Sequence, residues 1–335
     1  MELVLMSIAY ICKFENYRFQ ILQLYLSMNK ILTITFNPCI DKSTSVNALA
    51  PEKKLKCSTP TFEPGGGGIN VARAIKQLGG TATALYPAGG YSGKFLQTLL
   101  KNEEIESLVV KAEKHTRENM IVLDLSSNQQ YRFGMPGQEL LQTEWQQCLE
   151  IAENVNAAFI VASGSLPPGV PADIFARIAK IANKENGKLI VDTSGEALQQ
   201  TLKEKVYMIK PNLGELSMLV GKEELAIEEI EDAAKKIIEQ TGCEAIAISM
   251  GSAGAMMVTA KDIYKVAAPP VKKRSTVGAG DSMVAGIVYS LANNKTLKEA
   301  IQYGVACGTA ATLHPGTQLC KQDDVERIFA DIILL

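Results

Sequence analysis

Short apolar runs alternate with amphipathic segments along most of the chain. Residues 31–36 (ILTITF) have the pattern of a buried strand, and residues 69–80 (INVARAIKQLGG) place apolar side chains on one helical face before a glycine pair. The same alternation becomes regular after residue 144. Strands that alternate with helices predict an α/β fold: a doubly wound, mostly parallel sheet flanked by helices.

The alternation also gives approximate bounds for the individual elements. Strands are predicted over residues 31–36, 82–90, 157–165, 188–194, 206–212 and 245–251, with a hairpin over 254–270. Helices are predicted over residues 69–80, 92–102, 143–154, 171–185, 213–220 and 226–240, and from the glycine turn at 278 to about 292. Two further helices complete the predicted chain.

Two segments interrupt this order, and a third precedes it. Residues 42–62 are β-branched and lysine-bearing, and residues 116–136 have the pattern of a hairpin. Both are therefore assigned to a small β-strand lid within a domain of residues 29–335. Residues 1–28 are apolar but interrupted by charges, which is unlike a membrane span or a signal peptide. They are either an extension from an upstream start codon or an extra helix docked on the surface.

The composition excludes several functional classes. With 47% hydrophobic residues, a chain of 335 residues can build a large core, and its formal net charge of -2 provides no basic field for nucleic acid. The seven cysteines form no C-x-x-C pair and are odd in number, which is typical of a reducing cytoplasm. Two histidines leave little material for a zinc site or a Ser–His–Asp triad.

Glycine-rich, polar loops follow the predicted strands. Ligands of open α/β sheets bind outside the carboxyl ends of the strands, so these loops are expected to form one rim around a binding site. The loops are NPCID (37–41), EPGGGG (63–68), SGSLPPG (163–169), DTSGE (192–196), KPNLGE (210–215), SMGSAG (249–254) and STVGAGD (275–281).

The last of these loops begins a helix within STVGAGDSMVAG, residues 275–286. A dinucleotide fingerprint would need glycine where the chain has Met283 or, in the upstream GGGGIN run, Asn70. No GxxxxGK(S/T) stretch and no HRD or DFG motif is present. Gly278 and Gly280 instead let backbone N–H groups converge at a helix N-terminus, which predicts an anion site. Asp281 beside it is either a helix cap or a general base.

Three of these motifs together resemble the signatures of one protein family. STVGAGDSMVAG resembles the C-terminal signature of the ribokinase-like (PfkB) sugar kinases, EPGGGGINVARAIKQLGG resembles their N-terminal signature, and KPNLGE their N-x-x-E element. The likeness runs from about residue 29 to the C-terminus. Within the family, residues 54–75, YRFGMPG, SGSLPPGV and AATLHPGTQLC are most similar to the ribokinase-like 6-phosphofructokinases.

The resemblance implies a ribokinase-like fold and the glycolytic, ATP-dependent phosphorylation of fructose 6-phosphate at its 1-hydroxyl. Asp281 would be the general base, with the backbone of Gly278, Ala279 and Gly280 as the anion hole for the γ-phosphate. The sugar and its phosphate would be held by Asp41, Lys54, Gly66, Gly67, Asn70, Arg117 and Ser165. The nucleotide would be bound by Lys210, Asn212, Ser249, Gly251, Gly254 and Thr276. Mg²⁺ would be organised by Asn212 and Glu215, mostly through water.

The sequence leaves several alternatives open. Tagatose-6-phosphate kinases and 1-phosphofructokinases tend to carry lysine at the position of Gly67, and a non-catalytic sugar-phosphate sensor would have the same fold. Lys54 belongs to a lysine run typical of a solvated face, and Glu215 has an ordinary explanation as a helix-start residue. The expected partners are ATP and a sugar phosphate, without nucleic acid or membrane. A second copy is expected to pair through the exposed lid, as in relatives of this type.

Overall fold

A computed structural model describes residues 30–332 of the chain, so the predicted N-terminal segment 1–28 lies outside the described residues. The strands are β1 (Ile31–Ile34), β2 (Cys39–Val46), β3 (Thr61–Gly65), β4 (Thr83–Ala88), β5 (Glu106–Lys111), β6 (Arg117–Asp124), β7 (Gln129–Phe133), β8 (Phe159–Ser163), β9 (Lys188–Asp192), β10 (Met208–Ile209), β11 (Ala245–Ser249), β12 (Ala255–Thr259) and β13 (Ile263–Val266). The helices are α1 (Gly67–Gln77), α2 (Gly90–Asn102), α3 (Gln142–Asn154), α4 (Ile174–Lys184), α5 (Gly195–Thr201), α6 (Leu213–Leu219), α7 (Ile230–Thr241), α8 (Ala279–Ala292), α9 (Leu297–Ala311) and α10 (Gln322–Ala330).

Nine strands form one large sheet, in the order β13-β12-β11-β10-β9-β8-β1-β4-β5. The seven strands from β11 to β5 in that order are all parallel to their neighbours. β12 and β13 add an antiparallel hairpin at the other edge, as predicted for residues 254–270. The predicted doubly wound, mostly parallel sheet is therefore confirmed.

Helices cover both faces of the large sheet because its strands bury side chains on both sides. In β1, Leu32 and Ile34 pack into the core shared with helices α3 to α7, whereas Ile31 packs into the core shared with α1, α8, α9 and α10. A third cluster joins α1 and α2 to β4 through buried residues such as Tyr86 and Leu96. With both faces covered, the carboxyl ends of the parallel strands remain available for a site.

A second, smaller sheet has the strand order β3-β2-β6-β7, and we call it the small sheet. β2 pairs in parallel with β6, so Asp41 lies opposite Asn119, and antiparallel with β3. Residues 42–62 only partly match the prediction, because the strand begins earlier, at Cys39, and residues 47–60 form a loop. The hairpin predicted over 116–136 is present as β6 and β7.

Three elements of the large domain differ from the sequence-based assignment. β5 is a strand that the pattern did not reveal, because its side chains are only half-buried at the edge of the sheet. α5 is a helix of seven residues, too short for a clear 3.6-residue period. The strand predicted over 206–212 is regular only at Met208 and Ile209, because Pro211 follows and has no N–H to donate; beyond it, Asn212 forms an isolated parallel bridge with Ser249. Within residues 30–332, no helix is long and apolar enough to cross a membrane.

Candidate active site

The glycine turn before α8 has the geometry predicted for an anion site. Gly278 is the N-cap of α8 and has φ +74, a left-handed conformation that favours glycine. A Cβ at Gly278 would also lie 2.8 Å from a methyl carbon of Leu319. Because Gly278 is the N-cap, Asp281 is not, and the capping interpretation of Asp281 is wrong. Asp281 instead lies in the first turn of the helix, beside N–H groups that have no partner within α8.

The Asp281 carboxylate is in an environment that favours its neutral form. Burial raises its pKa most, and the nearby Asp192 raises it further; Asn70 and Lys210 act in the opposite direction, and the resulting pKa is about 6 instead of 3.8. The Asn70 side-chain amide donates a hydrogen bond of 2.9 Å to Asp281 Oδ2. A carboxylate with a pKa close to neutral can both take up and release a proton at physiological pH.

Lys210 lies between the glycine turn and the end of β9. Its Nζ is 3.1 Å from Asp192 Oδ1, and a Cβ at Gly280 would lie 3.7 Å from the same Nζ. Burial lowers the pKa of Lys210, but the charge and hydrogen bond of Asp192, together with the charges of Glu215 and Asp281, more than compensate, so the pKa is raised overall. Lys210 is therefore a buried cation held close to the anion turn.

The second glycine run, residues 65–68, allows the backbone to approach three neighbouring segments closely. Gly66 has φ +110, and a Cβ at Gly67 would lie 2.2 Å from Ser163 Oγ at the end of β8. A Cβ at Gly65 would lie 2.6 Å from Asp41 Oδ2. No larger residue fits without displacing these neighbours. The start of α1 is thereby held against the ends of β1 and β8 and against the small sheet.

Several predicted sugar-side residues lie around the junction of the small sheet with β1. Asn119 Nδ2 donates to Asp41 Oδ1 at 2.9 Å, and Asp41 is buried. Arg117 donates to the carbonyls of Asn37 at 3.0 Å and Met135 at 2.9 Å.

Two further sugar-side predictions, Ser165 and Lys54, are exposed. Ser165 Oγ accepts a hydrogen bond of 3.1 Å from the Asn37 side chain, which connects it to the same junction. Lys54 lies in the loop between β2 and β3 and is exposed, as expected for a lysine run on a solvated face. Ser165 therefore joins the sugar-side cluster through Asn37.

A cleft of about 590 Å³ borders the glycine turn at 278–280, and its lining contains none of the predicted sugar-side residues. This volume is in the range of small-molecule sites. One wall is apolar and is formed by Ala268, Pro269, Pro270, Val271, Met283 and Val305. The predicted nucleotide-side residues on the lining are Asn212, Ser249, Gly251, Gly254 and Thr276, together with Ala279 and Gly280 of the turn. Lys210 is the predicted nucleotide residue that does not line this cleft.

The predicted metal pair, Asn212 and Glu215, forms a capping box at the start of α6. Asn212 Oδ1 accepts from the Glu215 N–H, and Glu215 Oε2 accepts from the Asn212 N–H, each at 2.9 Å. Burial raises the pKa of Glu215, although Lys210 and the hydrogen bond oppose this shift. No cluster of three or more His, Cys, Asp or Glu residues in the described range could hold a metal. The donor set, one free carboxylate oxygen with an amide oxygen nearby, nevertheless fits Mg²⁺ that keeps most of its waters.

Three polar residues of the site were not found from the sequence. Buried Arg73 contacts Asn70, Asn119 contacts Asp41, and Arg132 of β7 donates to Thr276 Oγ1 at 3.1 Å. Arg73 could have been found from the sequence, because it is a charged residue on the apolar face of the helix predicted there, three positions after Asn70. No sequence pattern indicated Asn119 or Arg132, because their partners are 78 and 144 residues away.

Similarity to known proteins extends over most of the chain. The model of the pfkB family carbohydrate kinases matches residues 29–324. ATP-dependent 6-phosphofructokinase isozyme 2 of Escherichia coli is 44% identical over 305 residues, which are 90% of this chain and 99% of that protein. The isozyme 2 of Mycobacterium tuberculosis H37Rv is 42% identical over 90% of this chain and 89% of its own.

A solved structure gives the same result for the fold. The crystal structure of E. coli phosphofructokinase-2 in complex with fructose-6-phosphate matches with a TM-score of 0.85 and 42% identity, covering 90% of this chain and 98% of that one. The family match extends over nearly all of the described residues, including both glycine turns and Asp281. This chain therefore belongs to the pfkB family of carbohydrate kinases.

Proposed function

We propose that this protein is an ATP-dependent 6-phosphofructokinase, which converts fructose 6-phosphate and ATP into fructose 1,6-bisphosphate and ADP. The observation that carries the proposal is the position of Asp281. Its carboxylate lies beside the anion turn that borders the 590 Å³ cleft, and it is bonded to Asn70 on the sugar side. The sequence identity of 44% and 42% to two 6-phosphofructokinases, over 90% of this chain in each case, supports fructose 6-phosphate as the acceptor.

The reaction follows from these positions. The sugar 1-hydroxyl attacks the γ-phosphorus of ATP in line, and Asp281 accepts the hydroxyl proton as the new O–P bond forms. The bond from the γ-phosphorus to the β,γ-bridging oxygen breaks, and ADP leaves with that oxygen. The N–H groups of the turn at Gly278–Gly280 and the Lys210 ammonium stabilise negative charge on the transferring phosphoryl group.

The two substrates occupy opposite sides of Asp281. Asp41, Gly66, Gly67 and Asn70 hold the sugar hydroxyls, while Arg117, Ser165 and Lys54 bind its 6-phosphate. An arginine fork suits the oxygen atoms of a phosphate, and Arg117 has a buried Nε without a hydrogen-bond partner among residues 30–332. The nucleotide lies in the cleft between its apolar wall and the polar residues Asn212, Ser249, Gly251, Gly254 and Thr276.

Mg²⁺ accompanies ATP in this proposal. Glu215 and Asn212 would hold it, largely through water, and the ion would supply neutralising charge to the phosphates of ATP. The Asn212–Glu215 capping box fixes the orientation of both side chains before any ligand is present. Removal of divalent cations by a chelator should therefore abolish turnover while the fold is retained.

A second copy and a reducing compartment complete the proposal. The face of the small sheet that carries Met120, Tyr131 and Phe133 leaves 39%, 39% and 47% of these side chains exposed. We expect a homodimer that covers this face, detectable by sedimentation; a monomer at working concentration would contradict it.

Six cysteines in the described range are free thiols, which supports a cytoplasmic location.

The test is a coupled ADP-release assay with fructose 6-phosphate, tagatose 6-phosphate and fructose 1-phosphate. We expect the highest kcat/KM with fructose 6-phosphate, and a turnover about 10²- to 10⁴-fold lower in the Asp281→Asn variant. A higher kcat/KM with either other sugar would reassign the substrate. No release with any sugar phosphate would favour a non-catalytic sensor.

A further inference from the structure

Buried Arg73 forms a polar connection to the site that the proposed reaction does not yet use. Only 4% of Arg73 is exposed, and it lies in α1 one turn after Asn70. Its Nε and Nη2 bind the two carboxylate oxygens of Glu103 at 2.7 and 2.8 Å, a bidentate pair. Its Nη1 donates to the Pro64 carbonyl at 2.8 Å, directly before the glycine run. These three bonds fix the plane of the guanidinium.

The same Nη1 lies 3.4 Å from Asn70 Oδ1, while Asn70 Nδ2 donates to Asp281. A side-chain amide can be turned over by half a rotation, which exchanges its oxygen and nitrogen. Arginine carries only donors, so the amide atom that faces it must be the oxygen. The amide nitrogen is then the atom that faces Asp281.

We propose that Arg73 is a positioning residue, which fixes the orientation of the Asn70 amide so that a hydrogen-bond donor always faces the Asp281 carboxylate. The proposal rests on the proposed function only in that Asp281 is the general base. A fixed donor stabilises the ionised carboxylate, the form that can accept the proton of the sugar hydroxyl. Arg73 itself reaches neither the reacting atoms nor the nucleotide cleft.

Other charges around Asp281 are held by other elements and remain when Arg73 is replaced. Asp192 at the end of β9 and Asp41 in β2 favour the protonated carboxyl, and Lys210 after β10 favours the ionised one. Asn70 is the side chain from α1 that donates to Asp281. Loss of this donor should raise the pKa of Asp281, because the ionised carboxylate is then less stabilised. The midpoint of the acidic limb of the activity profile should therefore move to higher pH.

The test compares Arg73→Gln with Arg73→Lys. Both variants lose the bidentate pair with Glu103, but lysine still offers only donors to Asn70, whereas glutamine can offer an acceptor and let the amide turn over. In Arg73→Gln we expect the acidic midpoint of the kcat/KM profile to rise by about one pH unit. In Arg73→Lys we expect the midpoint to stay within about 0.3 unit of the wild type, whatever the loss of stability.

A double variant controls for the loss of the positive charge in Arg73→Gln. In an Asn70→Ala background the midpoint should already be raised, and adding Arg73→Gln should shift it no further. A further shift would mean that the charge of Arg73 acts directly, which overturns the proposal. Equal midpoints for wild type, Arg73→Gln and Arg73→Lys would also overturn it, leaving Arg73 with a purely structural role.

The controls also separate this proposal from the proposed function. Arg177→Gln removes another arginine–carboxylate pair, with Asp173 at the N-cap of α4, and should leave the midpoint unchanged. If Arg73→Gln fails to fold, Glu103→Gln carries the test, because a loosened Arg73 should give a smaller rise of the same sign. An unshifted Glu103→Gln would then overturn the proposal. Absence of kinase activity in the wild type would instead refute the proposed function.

Discussion

Replacing Asp281 by asparagine should stabilise the folded protein at neutral pH while it removes most of the turnover. Burial, and secondarily Asp192, raises the pKa of Asp281 from 3.8 to about 6. The folded state therefore binds the proton more tightly than the unfolded state. The carboxyl favours folding in its protonated form, and that contribution is lost as the pH rises towards 6. Asparagine has no charge to desolvate and can still accept the hydrogen bond from Asn70.

The size of this effect follows from the shift in pKa. Because the pKa of Asp281 is raised by about two units, Asp281→Asn should raise the free energy of unfolding above that of the wild type. The gain should be at most about 3 kcal/mol at pH 8 and about 1.5 kcal/mol at pH 5. Turnover should fall by about 10²- to 10⁴-fold, as expected for loss of a general base. Urea denaturation of both proteins at the two pH values measures the stability difference, and a coupled ADP assay measures turnover.

A matched control uses an exposed carboxylate. Asp232 lies on the exposed side of α7, and Asp232→Asn should change the unfolding free energy by no more than about 0.5 kcal/mol at either pH. The reasoning would be refuted if Asp281→Asn were no more stable than the wild type at pH 8. It would also be refuted if the gain were equal at both pH values, or if the variant kept most of its turnover.

Three further predictions concern the two sides of the site. First, kcat/KM should fall about tenfold per pH unit below about 6, because only ionised Asp281 accepts a proton; a pH–rate series with a midpoint below 5 would contradict this. Second, Asn119→Leu should raise the KM for the sugar phosphate about tenfold and leave the KM for ATP unchanged, because Asp41 loses its 2.9 Å hydrogen bond; steady-state kinetics with each substrate varied would show it. Third, Gly67→Ala should lower the unfolding free energy by about 1–3 kcal/mol in denaturant titrations, because its Cβ would lie 2.2 Å from a serine oxygen, whereas Gly134→Ala, which has open space, should be neutral.

Features that depend on local sequence were predictable. The turn at Gly278 and the run at 65–68 were found because a left-handed φ or a close backbone approach requires glycine, and helix starts next to glycines favour anions. The parallel sheet followed from its alternating apolar pattern. By contrast, the half-buried edge strand β5 and the two-turn helix α5 carry too weak a pattern to be found this way.

Features that depend on tertiary contacts were not predictable. Asn119 and Arg132 meet their partners only after β6 and β7 have joined the small sheet, and nothing in their neighbouring residues indicates this. The status of Asp281 required the structure as well: the local sequence left both a cap and a base open, and the N-cap position of Gly278 removed the first alternative.

The most direct test of the central claim is to locate the transferred phosphoryl group. Fructose 6-phosphate labelled with ¹³C at C1 would be incubated with the protein, ATP and Mg²⁺, and the product examined by NMR. We expect the C1 resonance to acquire coupling to phosphorus in step with ADP formation, and both changes to be about 10²- to 10⁴-fold slower with Asp281→Asn. ADP formation without coupling at C1, or coupling at another carbon, would contradict the account.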